Sequence, residues 1–340
     1  MIFRRIFLWP FALIYGGVLA LRNACYDWGV FKLKKVDVPV ISVGNLCVGG
    51  TGKTPHVKFL AEKLKLTNKV GILLRGYGRK SKGVLRVTVN CNTETVGDEA
   101  LLYKKKYQDD VSVVVAEKRI EGAQLLVKEK SKIDLIILDD AYQHRAIHRD
   151  VNILLTEFQR PFWKDLVLPA GNLREFTAGK QRADIIIVTK CPTDLSPEQK
   201  QLIRQKIQPK VHQLLCFSHI DYGNFIPFHN YGFGLPEKIL LVTGIANAEP
   251  LVEHLSKIAE VKHLSFADHH DYKSRDIRQI HELFDTFAVT EKVIVTTEKD
   301  YMRLLSSGYF NTLKNYPWFY KEISVRIDEE EELLKRIKRI

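Results

Sequence analysis

Short apolar runs rich in Val, Ile and Leu recur along the chain and alternate with segments of helical periodicity. In the first two thirds of the chain these runs cover residues 40–43, 70–74, 111–115, 135–138, 153–155 and 185–188. Continuous apolar strands separated by helices are typical of a mostly parallel sheet with helices on both faces. The pattern therefore predicts an α/β fold, with residues 23–218 as its main domain.

The last third of the chain repeats this pattern on a smaller scale. Residues 219–237 are rich in Gly, Pro and aromatic residues and have no clean periodicity, which predicts a linker between two domains. Apolar runs at 239–242, 261–266, 293–295 and 323–327 predict a smaller α/β domain. We expect this second domain, residues 238–340, to close over the functional site of the first.

The amino terminus is an apolar segment with arginines at both ends. Residues 6–21 form a run of 16 residues without a charge, which is shorter than the roughly 20 that a spanning helix needs. Pro10 and the Gly16-Gly17 pair also weaken a continuous helix. We predict a membrane-associating helix at residues 1–22 that lies in the headgroup region. A helix packed on the protein's own core and a signal peptide are the alternatives, and the sequence leaves open whether a membrane helix here lies on the bilayer or spans it as a single anchor.

Composition narrows the class of protein. The 340 residues include 52 Lys and Arg against 40 Asp and Glu, a net charge of +12, and 45% are hydrophobic. This balance excludes a disordered chain and a multi-pass membrane protein. The five cysteines are scattered and form no Cys-x-x-Cys pair, so neither a disulfide framework nor a zinc site is indicated. The positive charge suits nucleic acid, an anionic membrane or a phosphorylated substrate.

A glycine-rich motif directly follows the first predicted strand and reads Gly44-Asn-Leu-Cys-Val-Gly-Gly-Thr-Gly-Lys-Thr54. Strand, loop, Gly-Lys-Thr and an amphipathic helix occur in the order of a nucleotide phosphate-binding loop. The usual spacing has Gly where this chain has Cys47, and neighbouring glycines supply the backbone freedom instead. We predict phosphate binding by Gly49, Gly50, Thr51, Gly52, Lys53 and Thr54. Lys53 should reach the β- and γ-phosphates, and the Thr54 hydroxyl should bind Mg²⁺.

A second motif is an apolar strand that ends in Asp139 and Asp140. Phosphate-loop enzymes hold Mg²⁺ through a carboxylate at this place, so we predict that one of the two is the metal ligand. Guanine-binding relatives of this fold carry an Asp after a late strand. Residues 189–192 read Thr-Lys-Cys-Pro and lack it, which favours ATP.

Further motifs occur in a fixed order over residues 40 to 300. They are Arg75-Gly-Tyr-Gly78, Gly97-Asp-Glu99, Asp139-Asp-Ala-x-Gln-His144, Arg149-Asp150, Leu168-Pro-Ala-Gly171, Arg174-Glu175, Asp268-His269 and Thr297-Glu-Lys-Asp300. With the phosphate loop and the apolar amino terminus, this set resembles the tetraacyldisaccharide 4'-kinases of lipid A biosynthesis. Ala141 departs from the family, which commonly has Gly after the paired aspartates.

The resemblance implies a P-loop NTPase fold and a reaction at the cytoplasmic face of the inner membrane. There the γ-phosphate of ATP would pass to the 4'-hydroxyl of an acylated glucosamine disaccharide 1-phosphate. Asp98 would orient or deprotonate that hydroxyl, and His269 would partner Asp98 from the second domain. The remaining implied contacts are Arg119 and Asn172 with the nucleotide, Glu175 with the metal, and Arg75, Tyr77, Arg79, Gln143 and His144 with the substrate.

Two other functions compete with this interpretation. A membrane-associated nucleotide switch would share Lys53, Thr54 and the aspartate pair, but it would not need Asp98 with His269. Nucleic-acid binding lacks a recognisable motif, so we expect no nucleic-acid partner. The tract at residues 297–300 has no firm role, and helix capping explains it as well as substrate contact does. The sequence does not define an oligomeric state.

Overall fold

One continuous sheet carries the fold. The computed structural model describes residues 2–128, 132–232 and 234–339. Within them the strands are β1 Val40–Asn45, β2 Val70–Leu74, β3 Leu85–Arg86, β4 Val111–Val115, β5 Leu135–Asp139, β6 Val151–Glu157, β7 Ile185–Thr189, β8 Leu214–Pro227, β9 Lys238–Thr243, β10 Glu260–Ser265, β11 Lys292–Thr297 and β12 Trp318–Ile327. Their order across the sheet is β10-β9-β11-β12-β8-β7-β6-β1-β5-β2-β4-β3. The predicted α/β fold is confirmed.

Strand direction divides the sheet into two halves. Strands β1, β2 and β4 to β8 run parallel, and β3 is antiparallel at the edge. Strand β12 pairs antiparallel with β8, and β9 to β12 run parallel to one another. The segments that follow β1, β2, β4 and β5 therefore share one edge, which is where open α/β sheets bind ligands.

The linker predicted at residues 219–237 is wrong over its first half. Residues Leu214–Pro227 form β8, which pairs with β7 on one side and with β12 on the other. Its second half is only partly buried, and such a strand accommodates the Gly and polar residues that hid its periodicity. One hydrophobic cluster includes residues from Ile41 to Ile337 and so crosses the predicted boundary. The division into two domains stays a prediction.

Helices cover the faces of the sheet. They are α1 Ile2–Asp27, α2 Lys53–Leu64, α3 Thr93–Val96, α4 Asp98–Tyr107, α5 Arg119–Val127, α6 Pro197–Ile207, α7 Glu249–Leu255, α8 Ser274–Asp285, α9 Glu298–Ser306, α10 Phe310–Leu313 and α11 Glu330–Ile337. Helix α2 buries Val57, Leu60, Ala61 and Leu64, as their spacing predicts. Helix α4, from the first half of the chain, packs against α9 from the second.

Helix α1 is longer than the sequence predicted. It continues through Pro10 and the Gly16-Gly17 pair and ends at Asp27. The segment Arg5–Asp27 is long and apolar enough to cross a membrane by length and composition, and little of it is buried. Its exposed apolar side chains include Ile6, Trp9, Phe11, Leu13, Ile14, Val18 and Leu21.

The second part of α1 is attached to the body of the protein. A Cβ at Gly16 would lie 2.4 Å from the Phe176 ring, so glycine permits a close approach there. Near the end of the helix, Arg145 donates a 2.6 Å hydrogen bond to the Asp27 carboxylate. These contacts fix the apolar helix relative to the sheet.

Candidate active site at the carboxyl ends of the strands

The loop between β1 and α2 has the conformation that a phosphate site requires. Gly49 and Gly52 adopt positive φ values of 107° and 86°, which favour glycine. Gly50 has open space where a Cβ would be. Gly52 caps α2, so the unpaired N–H groups of that helix terminus and their positive potential face the loop.

Neighbouring segments hold this loop in place. Asn45 Nδ2 donates to Thr51 Oγ1 at 2.7 Å, and Thr189 Oγ1 donates to the Thr51 carbonyl at 2.9 Å. The Val48 N–H donates to the Asn172 carbonyl at 2.8 Å. The Asn172 side chain itself bonds Asp165. Asn172, predicted as a nucleotide contact, therefore supports the loop through its main chain.

Asp139 ends β5 beside the loop, as the strand pattern predicts. Its Oδ2 accepts a 2.8 Å hydrogen bond from the Tyr103 hydroxyl, while its buried Oδ1 has no hydrogen-bond partner among the described residues. Burial, aided by Glu99 and Asp140, raises the pKa of Asp139 to about 7. A buried carboxylate oxygen without a donor suits a cation.

Asp140 has different surroundings, and its φ of 49° turns the chain away from the strand. Arg174 binds both of its carboxylate oxygens, at 2.7 and 3.1 Å, and Lys53 Nζ lies 3.7 Å from Oδ1. Burial alone would raise the pKa of Asp140, but Lys53 and Arg174 outweigh burial and lower it. Asp140 is thus a stably ionised partner of two cations.

Glu99 and Lys299 complete this group; both stand in motifs of the sequence, but neither is assigned a role there. Glu99 Oε1 accepts from the Thr54 hydroxyl at 3.1 Å and from Lys299 Nζ at 2.5 Å. Burial would lower the pKa of Lys299, but Glu99 and Asp98 raise it above its usual range. The second half of the chain thus adds a cation beside the predicted metal ligand Thr54.

Asp98 and His269 come together, as predicted. His269 Nδ1 lies 3.4 Å from Asp98 Oδ2, and Asp98 is 7% exposed. Arg303, which the sequence did not predict, donates two hydrogen bonds to the same oxygen. Burial alone would raise the pKa of Asp98, but His269, Arg303 and Lys299 hold it well below its usual range. Lys299 links this pair electrostatically to the phosphate loop.

The predicted substrate residues differ in their surroundings. Arg75 and Tyr77 are exposed after β2, and the Tyr77 ring lies 5.3 Å from the His269 ring. Arg79 is instead bound to Glu117 and to the Gly83 carbonyl. The Arg79 guanidinium thus closes the neighbouring loop in the structure, and its substrate role stays a prediction.

Gln143 and Glu175 form a brace behind the loop. Gln143 Nε2 donates to the Asn45 carbonyl at 2.8 Å and to Glu175 at 3.1 Å. Glu175 also accepts from Asn23 at 2.8 Å and from Arg182 at 2.7 Å. In the structure Glu175 thus accepts from three donors, and Gln143 supports the main chain after β1. The metal contact of Glu175 and the substrate contact of Gln143 stay predictions.

His144 lies in a strongly positive region. Burial lowers the pKa of His144 to about 4, and electrostatic contributions from Arg119, Arg149, Arg22 and Arg75 add to this effect. Arg119 begins α5, is almost fully buried, and also interacts with the two aspartates after β5. A region with several arginines and few carboxylates favours the binding of an anion.

Comparisons with known proteins identify the family of this chain. The family model for tetraacyldisaccharide-1-P 4'-kinase matches residues 4–340. The tetraacyldisaccharide 4'-kinase of Phocaeicola vulgatus is 39% identical over 95% of this chain and 92% of its own length. That of Cytophaga hutchinsonii is 40% identical over 99% and 96%.

A solved structure supports the same assignment at the level of the fold. The crystal structure of LpxK from Aquifex aeolicus in complex with ATP is 34% identical, covers 98% of both chains, and has a TM-score of 0.77. The matched residues extend from the apolar helix α1 to the last strands. The chain belongs to the tetraacyldisaccharide-1-P 4'-kinase family of enzymes.

Proposed function

We propose that this kinase transfers the γ-phosphate of ATP to the 4'-hydroxyl of a tetraacylated glucosamine disaccharide 1-phosphate. The observation that carries the proposal is the Asp98–His269 pair, which lies beside the phosphate loop and is joined to it through Lys299 and Glu99. A nucleotide switch that hydrolyses ATP has no need of a carboxylate aimed at a second hydroxyl.

Phosphoryl transfer requires little proton abstraction by the Asp98 carboxylate. Phosphoryl transfer passes through a loose transition state, so positioning and charge stabilisation dominate. Asp98 stays ionised because its pKa is held low, and it would orient the hydroxyl and accept its proton late in the transfer. Lys53 and Lys299 would stabilise the charge on the moving phosphoryl group.

The described residues fit a magnesium ion. Asp139 Oδ1 is a buried anionic oxygen without a donor, and the Thr54 hydroxyl lies near the Glu99 carboxylate. Hard oxygen ligands of this kind are what Mg²⁺ prefers. When bound, the ion would neutralise phosphate charge; Asp139 and Thr54 would hold it, and Asp140 would orient Lys53.

Asp139→Asn is expected to raise the magnesium concentration for half-maximal activity more than Asp140→Asn does, because Asp140 is already bound by Arg174. For Asp140→Asn the shift should be no larger than about 10- to 100-fold. That is the usual loss of metal affinity when a residue that supports a metal ligand, and does not bind the metal itself, is removed. A magnesium titration of both variants measures this. Equal shifts would contradict the assignment of Asp139 as the ligand.

The cations around His144 suggest where a phosphorylated acceptor binds. Arg22, at the attached end of α1, contributes to this region together with Arg75 and Arg149. An acylated disaccharide could place its 1-phosphate here and its acyl chains along the exposed face of α1. The arginines around His144 and the exposed apolar face of α1 together support an anionic lipid as the substrate class.

Removing residues 1–22 is expected to release the protein from membranes, since the exposed apolar side chains of α1 would then be absent. The truncated chain keeps the Asn23 and Asp27 contacts. Sedimentation with anionic lipid vesicles measures the association. As a matched control, Leu66→Ser and Val211→Ser remove exposed apolar side chains elsewhere and should leave it unchanged. A truncated protein that still pellets would contradict the prediction.

The test of the proposal is transfer itself. The full chain is incubated with labelled ATP, magnesium and a detergent-dispersed glucosamine disaccharide lipid. We expect label on the lipid, and none on a lipid whose 4'-hydroxyl is blocked. Release of inorganic phosphate without labelled lipid would favour the switch.

A further inference from the structure

All five N–H groups of Arg303 have an acceptor. Nε and Nη2 donate to Asp98 Oδ2 at 2.9 and 2.5 Å. Nη1 donates to the Gly244 carbonyl at 2.7 Å and to Asp300 Oδ1 at 2.8 Å. The second N–H of Nη2 faces His269 Nδ1 at 3.1 Å. Because a guanidinium carries five donors in a rigid fork, this set of partners fixes its orientation.

The contact with His269 bears on which ring nitrogen carries the proton. A guanidinium only donates, so this contact is a hydrogen bond when Nδ1 presents its lone pair, which is the Nε2–H tautomer of the neutral ring. The separation of 3.4 Å between Nδ1 and Asp98 Oδ2 is longer than an ordinary N–H···O hydrogen bond. Asp98 and His269 are therefore joined through Arg303 instead of by a direct bond.

Asp98 is held from two sides. Its Oδ1 accepts the Glu99 N–H at 2.8 Å, at the first turn of its own helix α4, while Oδ2 accepts from Arg303 on α9. Arg303 is itself oriented by Asp300, which is fully buried and whose Oδ2 accepts a 2.7 Å hydrogen bond from the Thr297 hydroxyl. The tract at residues 297–300 thus has a physical role, because Thr297 positions Asp300 and Asp300 positions Arg303.

We propose that Arg303 is a positioning residue that fixes the Asp98 carboxylate and the His269 ring in one mutual orientation toward the acceptor hydroxyl. The proposal rests on the proposed function, which supplies that hydroxyl. Its consequence is that the second half of the chain aligns a carboxylate belonging to the first. Misplacement of a reacting group by about 1 Å can cost about 10²-fold in rate.

The competing explanation is that Arg303 only holds α4 and α9 together. Lys105 offers a control for this structural role. Lys105 Nζ on α4 donates to the Tyr301 hydroxyl on α9 at 2.9 Å, without a contact to Asp98. Lys105→Met removes a cation and a bond between the same two helices. Arg303→Lys keeps the charge of Arg303 but loses the fork.

The kinetic experiment measures phosphate transfer to the lipid by both variants. We expect Arg303→Lys to lower kcat about 10²-fold with KM for ATP nearly unchanged. Arg303→Ala should be slower still and partly rescued by added guanidinium ion, and Lys105→Met should keep near-normal kcat. Wild-type kcat in Arg303→Lys would overturn the proposal. A parallel fall in kcat and ATP affinity in both lysine and methionine variants would identify a brace and overturn it too.

A second measurement does not use the lipid. In ¹⁵N-histidine spectra of the full chain, the signal lost in His269→Asn should report the Nε2–H tautomer, and Arg303→Lys should populate both tautomers. An Nδ1–H tautomer in the wild type would overturn the proposal. If the wild type has the expected tautomer but transfers no phosphate to the lipid, the proposed function fails while the positioning of His269 stands.

Discussion

Asp98→Asn is expected to lower kcat for phosphate transfer by about 10²–10⁴-fold, the usual contribution of a positioned acid or base. KM for ATP should change little, because the predicted nucleotide contacts Gly49 to Thr54 lie on the loop after β1 and at the start of α2. An interaction made with the acceptor hydroxyl mainly in the transition state affects kcat and not nucleotide binding. The amide keeps an oxygen that can accept from Arg303, so the site should retain its shape.

Steady-state kinetics with varied ATP and saturating lipid measure this effect. Asp109→Asn is the matched control, because Asp109 follows the same helix α4 but pairs with Lys104 at the protein surface. That variant should behave like the wild type. Because Asp98 is buried, thermal unfolding of each variant should accompany the kinetics. A similar loss of ATP affinity and of kcat would mean that Asp98 serves binding or folding.

The parts of the site that the sequence predicts are those encoded within one strand and the turn after it. The loop at residues 44–54 has its glycines, its helix and Lys53 in consecutive order, so local chemistry defines it. The aspartates after β5 and the helix that begins at Asp98 are local in the same sense. Periodicity likewise located the buried strands, because burial on both faces leaves a continuous apolar run.

The residues that the sequence missed are those that meet across the sheet. Arg303 is 205 residues from Asp98, and no spacing rule connects them. Lys299 and Arg303 lie four residues apart, which places them on one face of α9, but no local pattern shows that α9 packs against α4. For Glu175 the family motif is visible in the sequence, but its partners Asn23, Gln143 and Arg182 are not.

Helix α1 and strand β8 show a limit of composition. Pro10 and two glycines argued against a long helix at the amino terminus, yet α1 runs to Asp27. Pro10 lies inside the helix and removes one backbone hydrogen bond, and Gly16 permits a close approach of the helix to the Phe176 ring. The sequence of β8 has no clean apolar periodicity, and its pairing with β7 on one side and β12 on the other makes it a strand. Tertiary contacts decide both elements.

Lys53→Ala is expected to reduce kcat/KM by about 10²–10³-fold, which corresponds to about 2.7–4 kcal/mol of transition-state stabilisation. Lys53 begins α2, and its ammonium group lies 3.7 Å from Asp140, which is held in turn by Arg174. The Lys53 side chain is largely buried beside the loop. Arg174 remains to pair Asp140 in the variant, so the fold should survive while the phosphate contact is lost.

Phosphate transfer to the lipid and binding of a fluorescent ATP analogue together measure the Lys53→Ala effect. Lys63→Ala is the matched control on the same helix, since Lys63 forms a partly exposed ion pair with Glu330 and should cost at most about 1 kcal/mol of stability. Lys53→Arg should restore little, because a planar fork does not fit a cradle shaped for a compact ammonium group. Near-normal turnover in Lys53→Ala would refute the phosphate-loop assignment, since the lysine is its main source of positive charge toward the γ-phosphate.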